Sequence, residues 1–223
     1  MTYGKTIGKK FYEDGSVRRY PGNTVVADVT PDCPAYDVMT HLYEMVQESG
    51  MDSHLILLPH DSYHMTVIRG LNDQVRVDTH WPARLPKDTP FTKVDDYVTE
   101  AVLSVPMPAG VRMKFDRVGF SATCMIIKLW PADEEQAAIL KQFRDAVADN
   151  LGLRLPKHDE YRFHISLGYT RIIPEGEDAV RMEKLINDIN AYIADQPAFE
   201  ITKPYMAYYD DMLAFSPVRL PRD

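Results

Sequence analysis

The sequence contains two short stretches that are nearly alike, YHMTV at residues 63–67 and FHISL at residues 163–167. Successive side chains of a β-strand point to opposite faces. In each stretch, three apolar residues would share one face, and the other face would carry a histidine and, two residues later, a hydroxyl. These polar positions are His64, Thr66, His164 and Ser166. The alternation predicts two strands that each bury an apolar face and present half of a polar site.

The size, composition and charge of the chain are those of an ordinary globular protein. Its 223 residues suit one large domain or two small lobes, and 45% of them are apolar and 26% charged. The formal net charge of −8 argues against a protein that tracks along extended nucleic acid, which requires a basic surface. A small phosphorylated ligand remains compatible with this charge, because it needs only a few local cations.

The sequence shows no signal for secretion or for a membrane. Cys33 and Cys124 are far apart and form no metal-binding motif, which favours two reduced cysteines. The first five residues lack the apolar segment of a signal peptide, and no apolar run approaches the length of a membrane span. We therefore expect a soluble, cytoplasmic protein without a membrane partner, and the sequence predicts no particular oligomeric state.

Apolar periodicity and turn residues predict the other elements. The predicted strands are 24–29, 54–58, 63–69, 111–120, 123–130, 161–170, 198–202 and 205–216. The predicted helices are 34–49, 92–105, 133–151 and 177–194. Thr92 with Asp95 and Asp133 with Gln136 have the spacing of helix-capping boxes.

Two segments do not fit regular elements. Residues 1–23 are polar and contain a cluster of cations, and we expect a solvated arm; the alternative is a flap that brings positive charge near an anionic ligand. The cations are Lys5, Lys9, Lys10, Arg18 and Arg19. Residues 70–91 contain three prolines and mixed charges, which predicts a loop.

The order of elements repeats at a nearly constant offset. The first strands of the two repeats, their first helices and their histidines lie 99, 98 and 100 residues apart. Such spacing suggests two copies of a strand-helix-strand-helix-strand unit. If a pseudo-twofold axis relates the copies, the two histidine strands meet at a cleft between them.

The paired motifs, each preceded by an aromatic and followed by an apolar residue, resemble the two-histidine (2H) phosphoesterase superfamily. That superfamily includes bacterial RNA ligase/2′,3′-cyclic phosphodiesterase proteins, and residues 111–120 are similar to its segment between the lobes. The resemblance implies an α+β fold of two pseudo-symmetric lobes, with antiparallel sheet and helices around a central cleft, in residues 24–223. Lobe 1 would span about 24–110 and lobe 2 about 111–223, with strand exchange between them left open. The arm and the 70–91 loop look like additions, as in a divergent bacterial branch.

The resemblance implies a metal-independent phosphodiesterase that opens a cyclic phosphate, and the residue types suit that chemistry. Histidine can donate or accept a proton near neutral pH, so His64 and His164 can act as general acid and base. The hydroxyls of Thr66 and Ser166 can stabilise charge on the phosphate oxygens without a metal or cofactor. The expected ligand is a 2′,3′-cyclic nucleotide, an RNA 2′,3′-cyclic end or a related small cyclic phosphate, and the net acidity slightly favours the small molecule.

Residues near the motifs are candidates for substrate binding. Each could clamp a phosphate or stack on a base, since guanidinium groups match phosphate oxygens. These candidates are Arg69, Arg162, Tyr169 and Arg171. Tyr205, Tyr208 and Tyr209 could line a nucleoside pocket, but core packing is the better interpretation.

Three alternative functions follow from the same residues. A metal hydrolase could use His54, His60 and His64, but their spacing matches no zinc motif and no metal is predicted. A non-catalytic module could hold a nucleotide or an RNA end in the same cleft. The reverse reaction, 2′–5′ RNA ligation, is open to the same catalytic groups.

Overall fold

The two histidine stretches are adjacent strands of one antiparallel sheet in the computed structural model, which describes residues 1–219. The strands are β1 (Gly22–Asp28), β2 (Leu55–Leu57), β3 (His64–Asn72), β4 (Val111–Phe120), β5 (Cys124–Pro131), β6 (Phe163–Thr170), β7 (Phe199–Ile201) and β8 (Tyr205–Tyr209). The α-helices are α1 (Pro34–Glu48), α2 (Phe91–Leu103), α3 (Glu134–Leu151) and α4 (Glu177–Ala194). The strands run in the order β7-β4-β5-β6-β3-β1-β8, and β2 pairs with the end of β6. The predicted α+β fold of antiparallel sheet and helices is confirmed, and the sheet is curled.

Within residues 1–219, three strand pairings cross the predicted boundary between the lobes, and one of them joins β3 to β6. β8, which comes from the end of the chain, lies beside β1, and β2, from the first half, lies beside β6. The division into lobes at 24–110 and 111–223 stays a prediction, and residues 220–223 lie outside the described part of the chain.

The helices pack in pairs that join the two repeats. α1 contacts α4 and α2 contacts α3, so each pair combines the first helix of one repeat with the second helix of the other. α3 begins as predicted, because the Asp133 side chain accepts a hydrogen bond of 2.9 Å from the backbone N–H of Gln136. It ends at Gly152, whose φ of 63° suits a residue without a Cβ.

The capping box predicted at the start of α2 is wrong. The helix begins at Phe91, one residue before Thr92, and no side chain caps it. Asp95 is instead fully buried and accepts a hydrogen bond of 2.9 Å from the side-chain amide of Asn23 in β1. The carboxylate that local spacing assigned to a helix cap therefore forms a long-range hydrogen bond with β1 instead.

The N-terminal segment 1–23 is not the solvated arm that its composition predicts. Phe11 is fully buried, and its ring lies 4.9 Å from the ring of Tyr169 in β6. The backbone N–H of Gly4 donates to the carbonyl of Arg171 at 2.9 Å, just beyond the same strand. One buried aromatic side chain and backbone hydrogen bonds thus hold this polar segment against the sheet, close to the cavity described below.

Residues 70–91 are mostly loop, as predicted. The first of them extend β3 to Asn72, and Asp78–His80 forms one 3-10 turn. Trp81 is buried and anchors the loop, since its indole N–H donates to the carbonyl of Leu85 at 2.8 Å.

Two other expectations concerned the cysteines and the membrane. Cys33 and Cys124 are free thiols in the structure. Among the helices of residues 1–219, none combines the length and the apolar character that crossing a membrane requires.

β3 and β6 each contain a β-bulge at the same distance from their histidine. Val67 is an extra residue in β3, because the pairing with β1 skips it, and Leu167 is an extra residue in β6 against β5. A bulge shifts the alternation of side chains by one residue. Arg69 and Tyr169, which strict alternation would place on the apolar face, therefore join the face that carries the histidines.

The carbonyl groups of both bulge residues have hydrogen-bond donors. The buried guanidinium of Arg144 in α3 donates to the carbonyl of Val67 at 2.6 Å and to that of His158 at 2.9 Å. The backbone N–H of Leu58 donates to the carbonyl of Leu167 at 3.0 Å. Because an unpaired buried carbonyl is costly, these donors stabilise the bulges.

We expect Arg144→Met to destabilise the protein by about 1–3 kcal/mol, because it removes the charged donor to two buried carbonyls. Urea unfolding followed by circular dichroism measures this change. Arg154→Met is the matched control, since Arg154 pairs with Asp145 and Asp149 at the surface, where ion pairs contribute about 0–1 kcal/mol. Equal stability of the two variants would contradict the role given to Arg144.

Candidate active site

The pairing of β3 with β6 brings the two histidine motifs together. Met65 lies opposite Ile165 in antiparallel register. One residue to either side, this register places each histidine opposite the hydroxyl residue of the other strand. The facing pairs are His64 with Ser166 and Thr66 with His164. All four line one cavity of about 350 Å³.

The two imidazole rings are held by equivalent hydrogen bonds. Nδ1 of His64 donates to the carbonyl of Ser62 at 2.8 Å, and Nδ1 of His164 donates to the carbonyl of Arg162 at 3.0 Å. Each acceptor is the carbonyl two residues earlier in the chain. Since a carbonyl can only accept, the proton of the neutral ring lies on Nδ1 and the lone pair on Nε2.

Burial lowers the pKa of both histidines. The pKa of His64 falls to about 4, with a smaller contribution from the nearby His164. Burial also lowers the pKa of His164, and the positive charge of Arg69 lowers it further. Both rings are therefore neutral at neutral pH in the empty cavity. An anion placed between them favours the imidazolium form and raises these pKa values.

The bulges bring two of the four predicted substrate-binding residues into the cavity. Arg69 and Tyr169 both line it, and they lie 100 residues apart, like the histidines. Each strand thus carries a histidine, then a hydroxyl two residues later, then a third cavity residue three positions further on. Their proximity to the motifs was readable in the sequence, but the bulge that turns them inward was not.

The other two predicted residues lie elsewhere. Arg162 places its guanidinium 4.4 Å from the centre of the Trp130 ring, and Arg171 donates to the backbone carbonyl of Glu13 at 2.9 Å. Neither residue lines the cavity. Arg171 instead helps to hold the N-terminal segment in place.

The three tyrosines near the end of the chain divide between core and cavity. Tyr208 is buried in the core, as predicted, and the hydroxyl of Tyr205 donates to the carboxylate of Asp28 at 3.0 Å. Core packing is the wrong interpretation for Tyr209, which lines the cavity. Successive side chains of β8 point to opposite faces, so with Tyr208 in the core Tyr209 faces the site.

The site prediction missed several residues of the cavity, and three of them come from segments outside the named strands and α-helices. Lys10 comes from the N-terminal segment, His80 from the 70–91 loop, and Phe215 from the end of the chain. The Phe215 ring lies 4.1 Å from that of His64. The basic cluster in residues 1–23 was the only sequence signal for any of them.

The charge of this cavity is opposite to that of the chain. Its described lining contains Lys10, Arg69 and three histidines but no aspartate or glutamate. The whole sequence has 33 acidic residues and a net charge of −8, so an acid-free, cationic cavity is a local exception. Such a lining suits an anionic ligand.

The histidines of the metal-hydrolase alternative do not converge. The His54 ring hydrogen-bonds to the carboxylate of Asp178 at 3.1 Å, and the His60 ring lies 4.7 Å from the ring of Tyr43. Neither lines the cavity that contains His64. Three residues with side chains that could bind a metal do lie together elsewhere. Lys141 and Arg154 already form ion pairs with the carboxylate of one of them, Asp145. The cluster consists of Asp145, His158 and Asp159.

Comparison with known proteins identifies the family. Residues 10–124, about half of the chain, match the family model 2H-phosphodiest, described as Domain of unknown function (DUF1868). The chain belongs to this family, and the predicted membership of the 2H phosphoesterase superfamily is confirmed. No curated protein matches the chain.

Several solved structures are similar to this one. The conserved protein of unknown function ATU0111 from Agrobacterium tumefaciens is 27% identical with a TM-score of 0.85, and the match covers 98% of this chain and 93% of that one. TT0787 of Thermus thermophilus is 12% identical with a TM-score of 0.46, covering 84% and 85%. LigT of Escherichia coli in apo form is 10% identical with a TM-score of 0.49, covering 91% and 96%.

We expect His64 and His164 to titrate below pH 6.5 in the ligand-free protein, with His64 near pH 4, because burial disfavours the imidazolium. A nucleoside 3′-phosphate should raise both pKa values, since its negative charge stabilises the imidazolium. Histidine ring NMR signals, assigned with His64→Asn and His164→Asn, measure these shifts. A cavity histidine that titrates above pH 6.5 in the empty protein would contradict this electrostatic description.

Proposed function

We propose that this protein is a metal-independent phosphodiesterase that opens a small cyclic phosphate, with His64 and His164 as its acid and base. One observation carries the proposal. Two imidazoles with equivalent hydrogen bonds, each opposite a hydroxyl of the other strand, face one cationic, acid-free cavity. Membership of a 2H phosphodiesterase family supports the same class of reaction.

The reaction needs one base and one acid on opposite sides of the phosphorus. Nε2 of one histidine accepts a proton from water while the water oxygen forms a bond to phosphorus. The bond from phosphorus to one ester oxygen of the ring breaks, and the imidazolium of the other histidine gives its proton to that oxygen. The product is an acyclic phosphomonoester. The base histidine has gained a proton from the attacking water, and the acid histidine has given its own proton to the departing oxygen.

The rest of the cavity stabilises charge on the phosphate. The hydroxyls of Thr66 and Ser166 can donate hydrogen bonds to the non-bridging oxygens, and Arg69 adds a positive charge. The phosphate in turn raises the pKa of the histidines, so substrate binding itself supplies the protonated acid. A neutral pair in the empty site thus becomes a half-protonated pair only when an anion is bound.

The volume and lining of the cavity favour a mononucleotide-sized ligand. A volume of about 350 Å³ lies at the lower end of the range for small-molecule sites. Aromatic side chains in the lining of the cavity can stack on a base or a sugar. These are Tyr20, Tyr161, Tyr169, Tyr209 and Phe215. The net charge of −8 also favours a small molecule over a long RNA.

We expect His64→Ala and His164→Ala each to lower kcat on 2′,3′-cyclic nucleotides by about 10²–10⁴-fold in the presence of EDTA, because each removes one proton-transfer group. The double variant should be little worse than either single variant, since the two groups act as a unit. Chromatographic separation of the cyclic and acyclic nucleotides measures turnover.

His41→Ala is the matched control, because His41 is an exposed histidine on α1 outside the cavity. It should turn over substrate like the parent protein. Loss of parental activity with EDTA would contradict metal independence. Binding of cyclic nucleotides without turnover would instead favour the non-catalytic binding module.

We expect Thr66→Val and Ser166→Ala each to lower kcat by about 10²–10³-fold, the usual effect of removing one donor to a developing negative charge. Thr66→Ser and Ser166→Thr keep the hydroxyl and should recover most of the rate. Steady-state kinetics on the same substrates separates these cases. If the hydroxyl-retaining variants were as slow as Thr66→Val and Ser166→Ala, the side chains would act by packing and not by hydrogen bonding.

A further inference from the structure

Lys10 is a cavity cation that the proposed reaction does not use. It precedes Phe11, which is fully buried. The same N-terminal segment is bound to the sheet by the hydrogen bond from the backbone N–H of Gly4 to the carbonyl of Arg171. The 2H motifs do not include it, and it comes from a part of the chain that its composition assigned to solvent. Its position is therefore set by the packing of the N-terminal segment against β6.

The ammonium group of Lys10 lies among aromatic rings and has no carboxylate partner in the described residues. Its Nζ is 5.1 Å from the ring centre of Tyr20 and 4.9 Å from that of Tyr169, and it donates to the Tyr169 hydroxyl at 3.5 Å. Burial and the charge of Arg69 lower the pKa of Lys10 to about 8, so it is still mostly protonated at pH 7. A half-buried cation held in this way is prepared for an anion that arrives with the ligand.

This cation is displaced from the paired histidines along β6. Tyr169, whose ring and hydroxyl contact the ammonium group, lies three residues beyond Ser166 on the same face. Because Leu167 is a bulge, this step spans two positions of β5, from Ile126 to Cys124, or roughly 7 Å along the strand. A phosphate between the two histidines is bound at the Thr66 and Ser166 hydroxyls. A ligand with a single phosphate would therefore leave Lys10 without an anionic partner. An anion that pairs with Lys10 has to be a second charged group of the same ligand.

Building on the proposed function, we propose that Lys10 binds a second phosphate of the substrate, and that the preferred substrate is a nucleoside 2′,3′-cyclic phosphate that also carries a 5′-phosphate. The ribose would lie between the histidine pair and Lys10, with the 5′-phosphate over the edge of Tyr20 and Tyr169. Lys10 is then a specificity-determining residue, and the N-terminal segment supplies this part of the site.

The test compares two substrates that differ only in the 5′-phosphate, adenosine 2′,3′-cyclic phosphate and its 5′-phosphorylated form, together with the matching uridine pair. We expect the parent protein to prefer the 5′-phosphorylated compound in kcat/KM by about 10- to 100-fold, the usual effect of one charge-assisted contact. Lys10→Met should remove this preference through a higher KM for the 5′-phosphorylated compound, with a much smaller change for the other.

Lys9→Met is the matched control, since Lys9 is the neighbouring lysine and is exposed. It should keep the full preference, and Lys10→Arg should keep part of it. An equal loss on both substrates in Lys10→Met, or a parent protein without preference, would overturn the role of Lys10 while leaving the phosphodiesterase intact.

If none of the four compounds were turned over, the proposed function would be contradicted, but the proposed second phosphate site would still have to be tested by binding. Calorimetric titration with adenosine 3′,5′-bisphosphate and with adenosine 3′-phosphate then decides. Tighter binding of the bisphosphate that Lys10→Met abolishes supports the second phosphate site. Equal binding of the two compounds by the parent protein overturns it.

Discussion

The antiparallel pairing of Met65 with Ile165 is the contact on which the rest of the site depends. Both side chains are fully buried, so the apolar faces of the two strands hold the register. Because side chains alternate with a period of two, a slip of one residue would turn every histidine and hydroxyl toward the core. The core therefore determines the distance between the two histidines, and one of its residues, Leu58, also lines the cavity.

The electrostatics of the cavity follow from the same arrangement. Burial lowers the pKa of both imidazoles and leaves them neutral, and the nearby Arg69 lowers the pKa of His164 further. Lys10 adds a second positive charge from a separate part of the chain. An anionic ligand would reduce the repulsion among these groups and raise the pKa of the histidines. In the proposed reaction, ligand binding and the protonation of one histidine are therefore coupled.

Sequence patterns predicted the features that depend on near neighbours. Helix α4 has the predicted bounds of 177–194, and the alternation in the two motifs correctly separated the apolar faces from the polar ones. The predictions failed where distant residues compete. Asp95 does not cap α2 but forms a buried hydrogen bond with Asn23. Phe11 is buried and holds a polar segment against the sheet.

The sequence by itself determined the pair of histidine strands through the alternation of side chains, and the resemblance carried by the two motifs determined the superfamily and the α+β class. Both are patterns that can be read along the chain without knowing which residues meet in space. Only the tertiary structure decided which other side chains reach the cavity. Arg69 and Tyr169 enter it because a bulge precedes each, whereas Arg162 and Arg171 find partners elsewhere. A bulge forms through pairing with a neighbouring strand and through a donor for its carbonyl, and both come from residues far away in sequence.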